Sequence, residues 1–271
     1  SNSLLKTYLS IGNCSLNLNN IIFNGEYEFI DLTHPFDNNT QYWPTAEKFK
    51  FTSKDALFRS DGTWYAANNF AAGEHGGTHI DAPYHFSSYG KFVGELPLET
   101  LMVPLIIIDL SSKVNDDPNY ILYNYDLDYQ LLNDNTAKPC LILFKFGWSK
   151  YFNDRLKYMG VNQVTGSFNF PGISREVIEL ITTSYKNVVG IGVDTASVDY
   201  GSNKEAHVHK IGTAAGLYFI ENVNLYRPVL ASGCTALALP MKIAEGSGAP
   251  VRFVAICPKP KLTNNLYGEF F

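Results

Sequence analysis

Twelve consecutive residues, His75-Gly-Gly-Thr-His-Ile-Asp-Ala-Pro-Tyr-His-Phe86, hold three of the chain's six histidines and constrain the local fold more than any other stretch. A helix would bring His75 and His79 onto one face. Gly76, Gly77, the β-branched Thr78 and Ile80, and Pro83 all oppose a helix. A straight strand fails differently, because at about 3.3 Å per residue it would hold His75 and Asp81 roughly 20 Å apart. If these side chains act together the chain must curl, and the glycine pair is the expected bend.

The residue types say why they would act together. Neutral imidazoles with a carboxylate, here His75, His79 and Asp81 in an H-x-x-x-H-x-D set, suit Zn²⁺ or Mn²⁺ and can leave a coordination position open. A lone buried His is ordinarily a hydrogen-bonded core residue and a lone Asp beside Pro a turn former. Their clustering around glycine favours a metal site, with His85 immediately downstream.

The remaining pattern is that of an α/β or α+β fold. Val103–Leu110 and Cys140–Phe146 are short, continuous apolar runs of the kind found in strands buried on both faces. Strands are also expected at Glu28–Thr33, Trp64–Ala72, Val188–Asp194, Gly216–Ile220, Thr235–Leu239 and Val251–Ile256. Helices are expected at Tyr123–Leu132, Trp148–Met159 and Ser174–Tyr185, the last with Ser174 as N-cap. No linker, repeat or block of like charge divides the 271 residues, so residues 1–271 are expected to form one domain.

Net charge is −5 without a basic stripe, which argues against a nucleic-acid partner. Charged residues make up only 17% and aromatics 14%, the balance of a chain that buries surface between subunits. No apolar run reaches the ~18 residues of a membrane span. A chain beginning Ser1-Asn-Ser3 is expected to be a processed or truncated product, and two sequons, at Asn13 and Asn38, leave secretion or a cytoplasmic home open. The four cysteines show no metal-ligand spacing. Cys140 and Cys257, in apolar runs, are expected to be buried free thiols, and Cys14 the one able to pair.

A metal needs supporting contacts and often a ligand from elsewhere in the chain. His209, with His207 as a competitor, precedes by twelve residues Glu221, a carboxylate closing the apolar run Leu217–Ile220. The motif H-G-G-T-H-I-D-A-P-Y-H-F resembles the H-x-G-T-H-x-D-x-P-x-H signature of the metal-dependent cyclase family, which includes kynurenine formamidase and isatin hydrolase. Asp31-Leu-Thr-His-Pro35, Trp43-Pro44, Phe146-Gly-Trp148, Gly192–Asp199, Leu239-Pro-Met-Lys242 and Gly246–Arg252 resemble further family elements in the same order. Phe144-Lys-Phe-Gly147 departs from the family's Arg-Thr-Gly.

The resemblance implies an α/β fold of swivelling β/β/α type, a central sheet or barrel flanked by helices, assembled as a homodimer or homotetramer. It implies one or two Zn²⁺ or Mn²⁺ ions held by His75, His79, Asp81, His209 and Glu221. His85 would carry the catalytic proton, with Glu221 also in the catalytic set, and Trp43 would line the substrate pocket. The implied reaction is hydrolysis of a C–N amide bond in a small aromatic formamide or cyclic amide. Trp64 and Phe70, nearby in sequence, are further stacking candidates, with core packing the expected fate of both. Two other readings use the same residues. One is a catalytically retired metal-binding or interaction protein on this scaffold. The other is a non-haem iron oxygenase built on His79, Asp81 and His209, against which the stretch from 211 to 220 offers no basic residue after the distal His.

Overall fold

A computed structural model describes residues 17–260. The strands are β1 (Tyr27–Asp31), β2 (Lys50–Phe58), β3 (Trp64–Ala71), β4 (His79–Asp81), β5 (Met102–Asp109), β6 (Ile121–Leu122), β7 (Cys140–Lys145), β8 (Gly172–Ile173), β9 (Val188–Val193), β10 (Tyr218–Glu221), β11 (Cys234–Pro240) and β12 (Gly248–Pro258). The helices are α1 (Leu18–Ile22), α2 (Leu98–Leu101), α3 (Ser111–Val114), α4 (Tyr129–Asn135), α5 (Arg155–Met159), α6 (Arg175–Ser184) and α7 (His207–Ala214). The chain divides into two units, Phe29–Cys257 and a smaller one formed by the two chain ends, Ser1–Glu28 with Pro258–Phe271. Of the smaller unit, the described part comprises α1, capped by the Asn17 side chain, and short extended segments.

In the larger unit seven strands close on themselves. Parallel β5, β7, β9 and β10 form one wall, and antiparallel β4, β12 and β11 complete the ring through the β10–β4, β4–β12, β12–β11 and β11–β5 pairings. This is a mixed α/β domain built on a seven-stranded barrel with flanking helices. The continuous apolar runs are explained by burial on both faces. Leu105, Ile107, Leu141 and Leu143 point into one core cluster, while Ile106, Ile108, Ile142 and Phe144 point into a second one shared with Val177, Ile178 and Ile181 of α6.

Helix boundaries follow local chemistry more than periodicity. Ser174 caps α6 as expected, its hydroxyl accepting from the Val177 N–H. The stretch from Trp148 to Met159 is broken into a 3₁₀ turn and α5, because Asp154 accepts from the Lys157 N–H and starts a new helix. Tyr123–Leu132 is likewise a 3₁₀ turn followed by α4, which Asp128 caps. Among the cysteines, Cys140 is a buried free thiol, but Cys257 is not: it faces Cys234 across β11 and β12, and the two form a disulfide. The apolar run that hides Cys257 places it directly opposite a second sulfur, a register invisible in one strand alone. Cys14 and Asn13 lie outside the described residues.

Candidate metal centre

The glycine bend is present, and its neighbours require it. Gly77 has φ of +57°, and a Cβ on Gly76 would lie 2.0 Å from the Tyr42 ring, which packs across it through the Tyr42–Gly76 bridge. After the bend the chain enters β4, where His79 and Asp81, two residues apart, share one face of the barrel wall. Glu221 is the residue opposite His79 on β10, so the strand register delivers the distal carboxylate to the same place. His209 arrives from α7, a helix hidden in the sequence by its polar opening and by Gly212, whose missing side chain admits Phe219.

His79, Asp81, His209 and Glu221 are all nearly solvent-free. His79 Nε2 lies 3.2 Å from Asp81 Oδ1 and 3.6 Å from Glu221 Oε2. His209 Nε2 lies 3.3 Å from Asp81 Oδ2 and 3.2 Å from Glu221 Oε1. Each carboxylate therefore spans two positions, one beside His79 and one beside His209. His75 joins the first of these with Nδ1 2.6 Å from Asp81 Oδ1.

The tautomers test whether a cation belongs there. His79 Nδ1 donates to the Gly77 carbonyl at 2.9 Å, and His209 Nδ1 donates to Asp199 Oδ2 at 2.7 Å. A neutral ring in either place then turns the Nε2 lone pair toward carboxylate oxygens, which repel it. His79 Nε2 is a buried nitrogen without a hydrogen-bond partner. Only positive charge between the groups resolves this, and the choice is between a metal ion and protons on the rings. Burial lowers the affinity of both imidazoles for protons, yet the carboxylates around them outweigh it, raising His79 to about 9 and His209 well above its ordinary value. Burial would raise Asp81, but the surrounding imidazoles hold it well below the usual carboxylate range.

His75 argues for the metal. The Ser247 hydroxyl donates its single proton to Glu74 Oε2 at 2.7 Å, so at 2.8 Å it accepts from His75 Nε2–H. A ring carrying that single proton presents the Nδ1 lone pair beside Asp81 and His79, as a metal ligand requires. The donor atoms of His75, His79 and Asp81 lie within 4.8 Å of one another, and so do those of Asp81, His85 and His209. The set fits a divalent cation.

His85 stacks on His75 at 3.8 Å, with its ring 5.7 Å from that of His209. Burial lowers its pKa to about 4, with Asp81 opposing and the neighbouring imidazoles reinforcing. Trp43 is half-exposed and packs on Phe168 at 4.4 Å, both lining a cavity of about 640 Å³ whose floor is the histidine and carboxylate cluster. His207, the competing histidine, does not line this cavity. Neither do Trp64 and Phe70, which stand exposed on the β2–β3 hairpin and are not stacking surfaces of their own chain's site. Lys145, which departs from the family pattern, pairs with Asp109 at 2.7 Å away from the cavity.

Residues 30–200 match the family model "Cyclase: Putative cyclase". The chain belongs to the Cyclase family. It is 29% identical over 259 residues to an isatin hydrolase from Roseibium aggregatum, covering 88% of this chain and 95% of the relative. A kynurenine formamidase from Bacillus cereus is 27% identical over 227 residues, covering 84% and 96%. Among solved structures, isatin hydrolase A from Ralstonia solanacearum superposes with a TM-score of 0.80 at 25% identity, covering 95% and 100%. An isatin hydrolase bound to the product analogue thioisatinate gives 0.79 at 25% identity, covering 89% and 97%.

Three residues that support this Cyclase-family centre escape a reading by ligand type. Asp199 fixes the His209 tautomer and also accepts from the Val208 and His209 backbone N–H groups, while Glu74 and Ser247 fix that of His75. The signal was present for two of them. Asp199 closes the Gly192–Asp199 element, and Ser247 lies in the Gly246–Arg252 element.

Proposed function

We propose that this chain is a metal-dependent hydrolase that cleaves a C–N amide bond in a small aromatic formamide or cyclic amide, as the names of its isatin hydrolase and kynurenine formamidase relatives suggest. The observation that carries the reading is the set of locked tautomers, which turn imidazole lone pairs from His75, His79 and His209 onto two shared carboxylates. His75, His79 and Asp81 would hold one Zn²⁺ or Mn²⁺ ion, and His209 and Glu221, together with Asp81, would hold a second. A divalent ion in this set would supply Lewis acidity toward a substrate carbonyl and toward water.

The chain's own residues do the rest. Neutral His85, beside the ligands, takes the proton released when water attacks and returns it to the departing nitrogen. Glu221 contributes a carboxylate to the same reacting centre. Trp43 and Phe168 hold the substrate's aromatic ring against an apolar wall. Asp199, Glu74 and Ser247 keep the ligand rings from rotating.

The working domain is taken as residues 1–271, assembled as a homodimer or homotetramer without a nucleic-acid partner. No helix among the described residues is long and apolar enough to cross a membrane. The Cys234–Cys257 pair favours an oxidising compartment over the cytoplasm. The test is a panel of N-formyl anilines and isatins, assayed with metal-loaded and chelator-stripped protein. Turnover of at least one amide, lost on stripping and restored by Zn²⁺ or Mn²⁺, is expected. Metal-loaded protein inert on the whole panel would favour the retired-scaffold reading.

A further inference from the structure

The cavity above the metal centre has three zones. Its floor is the histidine and carboxylate cluster, its wall includes Trp43, Phe168 and Phe170, and Lys204 is the one lysine or arginine among the described residues that line it. The acidic side chains of the lining, Asp81, Asp199 and Glu221, are all engaged by imidazoles of the floor. Lys204 is exposed and has no ion pair among the described residues.

The loop that carries this lysine is fixed. The Gly201 N–H donates to the Phe170 carbonyl at 2.9 Å, which docks the loop against the segment bearing Phe168. Asn203 donates its side-chain amide to Asp199 Oδ1 at 2.8 Å and accepts from the Glu205 N–H at 2.8 Å, so both neighbours of Lys204 are held. The same Asp199 holds the His209 ring. The root of Lys204 therefore stands at a set position relative to the metal centre, and its flexible stem gives the ammonium reach.

A second cation lies behind the wall. Gln41 lines the cavity while its amide nitrogen donates to the Asn39 and Phe152 carbonyls at 3.0 and 2.8 Å, which turns its oxygen onto the Arg155 guanidinium at 2.9 Å. Arg155 is partly buried and also has no ion pair among the described residues. Two positive charges without an internal counter-ion thus border one cavity, and the field of such a cleft acts on what enters it. A volume of about 640 Å³ leaves room for a ring that bears a further group.

We propose that Lys204 reads a carboxylate carried by the substrate on the far side of its aromatic ring from the scissile amide, so that this chain prefers anionic aryl amides to neutral ones. This rests on the hydrolase reading above and names its substrate class. With the amide on the floor and the ring against Trp43 and Phe168, the rim is where a remote substituent falls. An ammonium without an internal partner is the group that would bind an anion there.

The test compares meta-formamidobenzoate with meta-formamidobenzamide, which share a shape and differ in charge, on the metal-loaded full chain. The wild type is expected to favour the acid by about 10-fold in kcat/KM, the scale of one hydrogen bond to a charged group, and to lose that preference as salt rises. Lys204→Met should bring the ratio to about one, through KM and not kcat, because the contact is made equally in the ground and transition states. Lys204→Arg should restore it and Lys204→Glu reverse it. A wild type that takes acid and amide alike, or a Lys204→Met protein that keeps the preference, overturns the assignment. If neither compound is turned over, the hydrolase reading fails by itself, and calorimetric titration with meta-aminobenzoate and meta-aminobenzamide decides this one. Tighter binding of the acid that Lys204→Met abolishes supports the role of Lys204. An acid that binds wild type and Lys204→Met equally sits elsewhere, on the metal or the floor, and overturns it.

Discussion

Thr78 is completely buried, its hydroxyl donating to the Asn222 carbonyl at 2.7 Å and accepting from the His34 N–H at 2.9 Å. On the hairpin just before it, Asn69 makes a side-chain hydrogen bond to Ser53 that is equally short, 2.7 Å, but in open solvent. The two regions are neighbours in sequence and differ in what an interaction is worth. At the barrel mouth, removing one partner strands a buried polar group, at a cost of about 1–3 kcal/mol. On the hairpin, water replaces what is removed. The comparison teaches where this chain can tolerate change: ligand rings need second contacts that hold them, while the hairpin's exposed polar pairs need nothing.

The sharpest break is expected at Asp81, whose two oxygens serve both positions of the centre. Asp81→Asn should lose most of the bound metal and abolish turnover, with elemental analysis and the amide panel as readouts. Stoichiometric metal in that variant would remove Asp81 from the ligand set. His85→Ala tests the division of labour within the same cluster. It should keep its metal while kcat falls by about 10² to 10⁴, the usual contribution of a positioned proton carrier, and release of metal would make His85 a ligand instead. Glu221→Gln should take the metal content from about two to about one per chain, with the His75 position still filled. One ion in both proteins would leave Glu221 a supporting or proton-handling residue.

Next in size comes a pH effect. His34 is buried and stacked on Phe152 at 3.6 Å, and burial holds its pKa down to about 4. The unfolded chain takes up that proton near 6.5, so the folded state binds fewer protons between those values. Stability is then fully present above about 6.5 and falls as the pH drops toward 4, by up to about 3 kcal/mol. Urea unfolding of His34→Leu should show a slope shallower by that amount over the same range, and an identical slope would mean that His34 titrates freely. Thr78→Val should cost about 2 kcal/mol, because it leaves the His34 N–H and the Asn222 carbonyl unpaired. The smallest change is expected on the hairpin, where Asn69→Ala should stay within about 0.5 kcal/mol. Equal losses from these last two would erase the contrast between the regions.

Much of the architecture was legible from short-range chemistry. Apolar runs such as Cys140–Phe144 become strands buried on both faces, and Ser174 starts α6 because its hydroxyl accepts a free N–H. The division of Trp148–Met159 was hidden, since its apolar spacing does not reveal that Asp154 begins a helix anew. The exposure of Trp64 and Phe70 was hidden too. A strand's composition does not say whether any surface of its own domain faces it.

By itself the sequence determined the donor types and the bend between them, because glycine takes up the left-handed Gly77 backbone without strain. It also determined, through ordered motifs, membership of the Cyclase family. Only the tertiary structure decided which donors meet. Glu221 reaches the centre because β10 pairs with β4 in the register that sets it opposite His79. Cys234 and Cys257 join because β11 and β12 run antiparallel in the matching register. His209, and not His207, enters the cluster because Asp199 holds both the start of α7 and the ring itself. The β10–β4 register arises from a pairing across more than a hundred residues of chain, and the β11–β12 register and the rotation of α7 from contacts between separate elements, of which a local pattern carries no record.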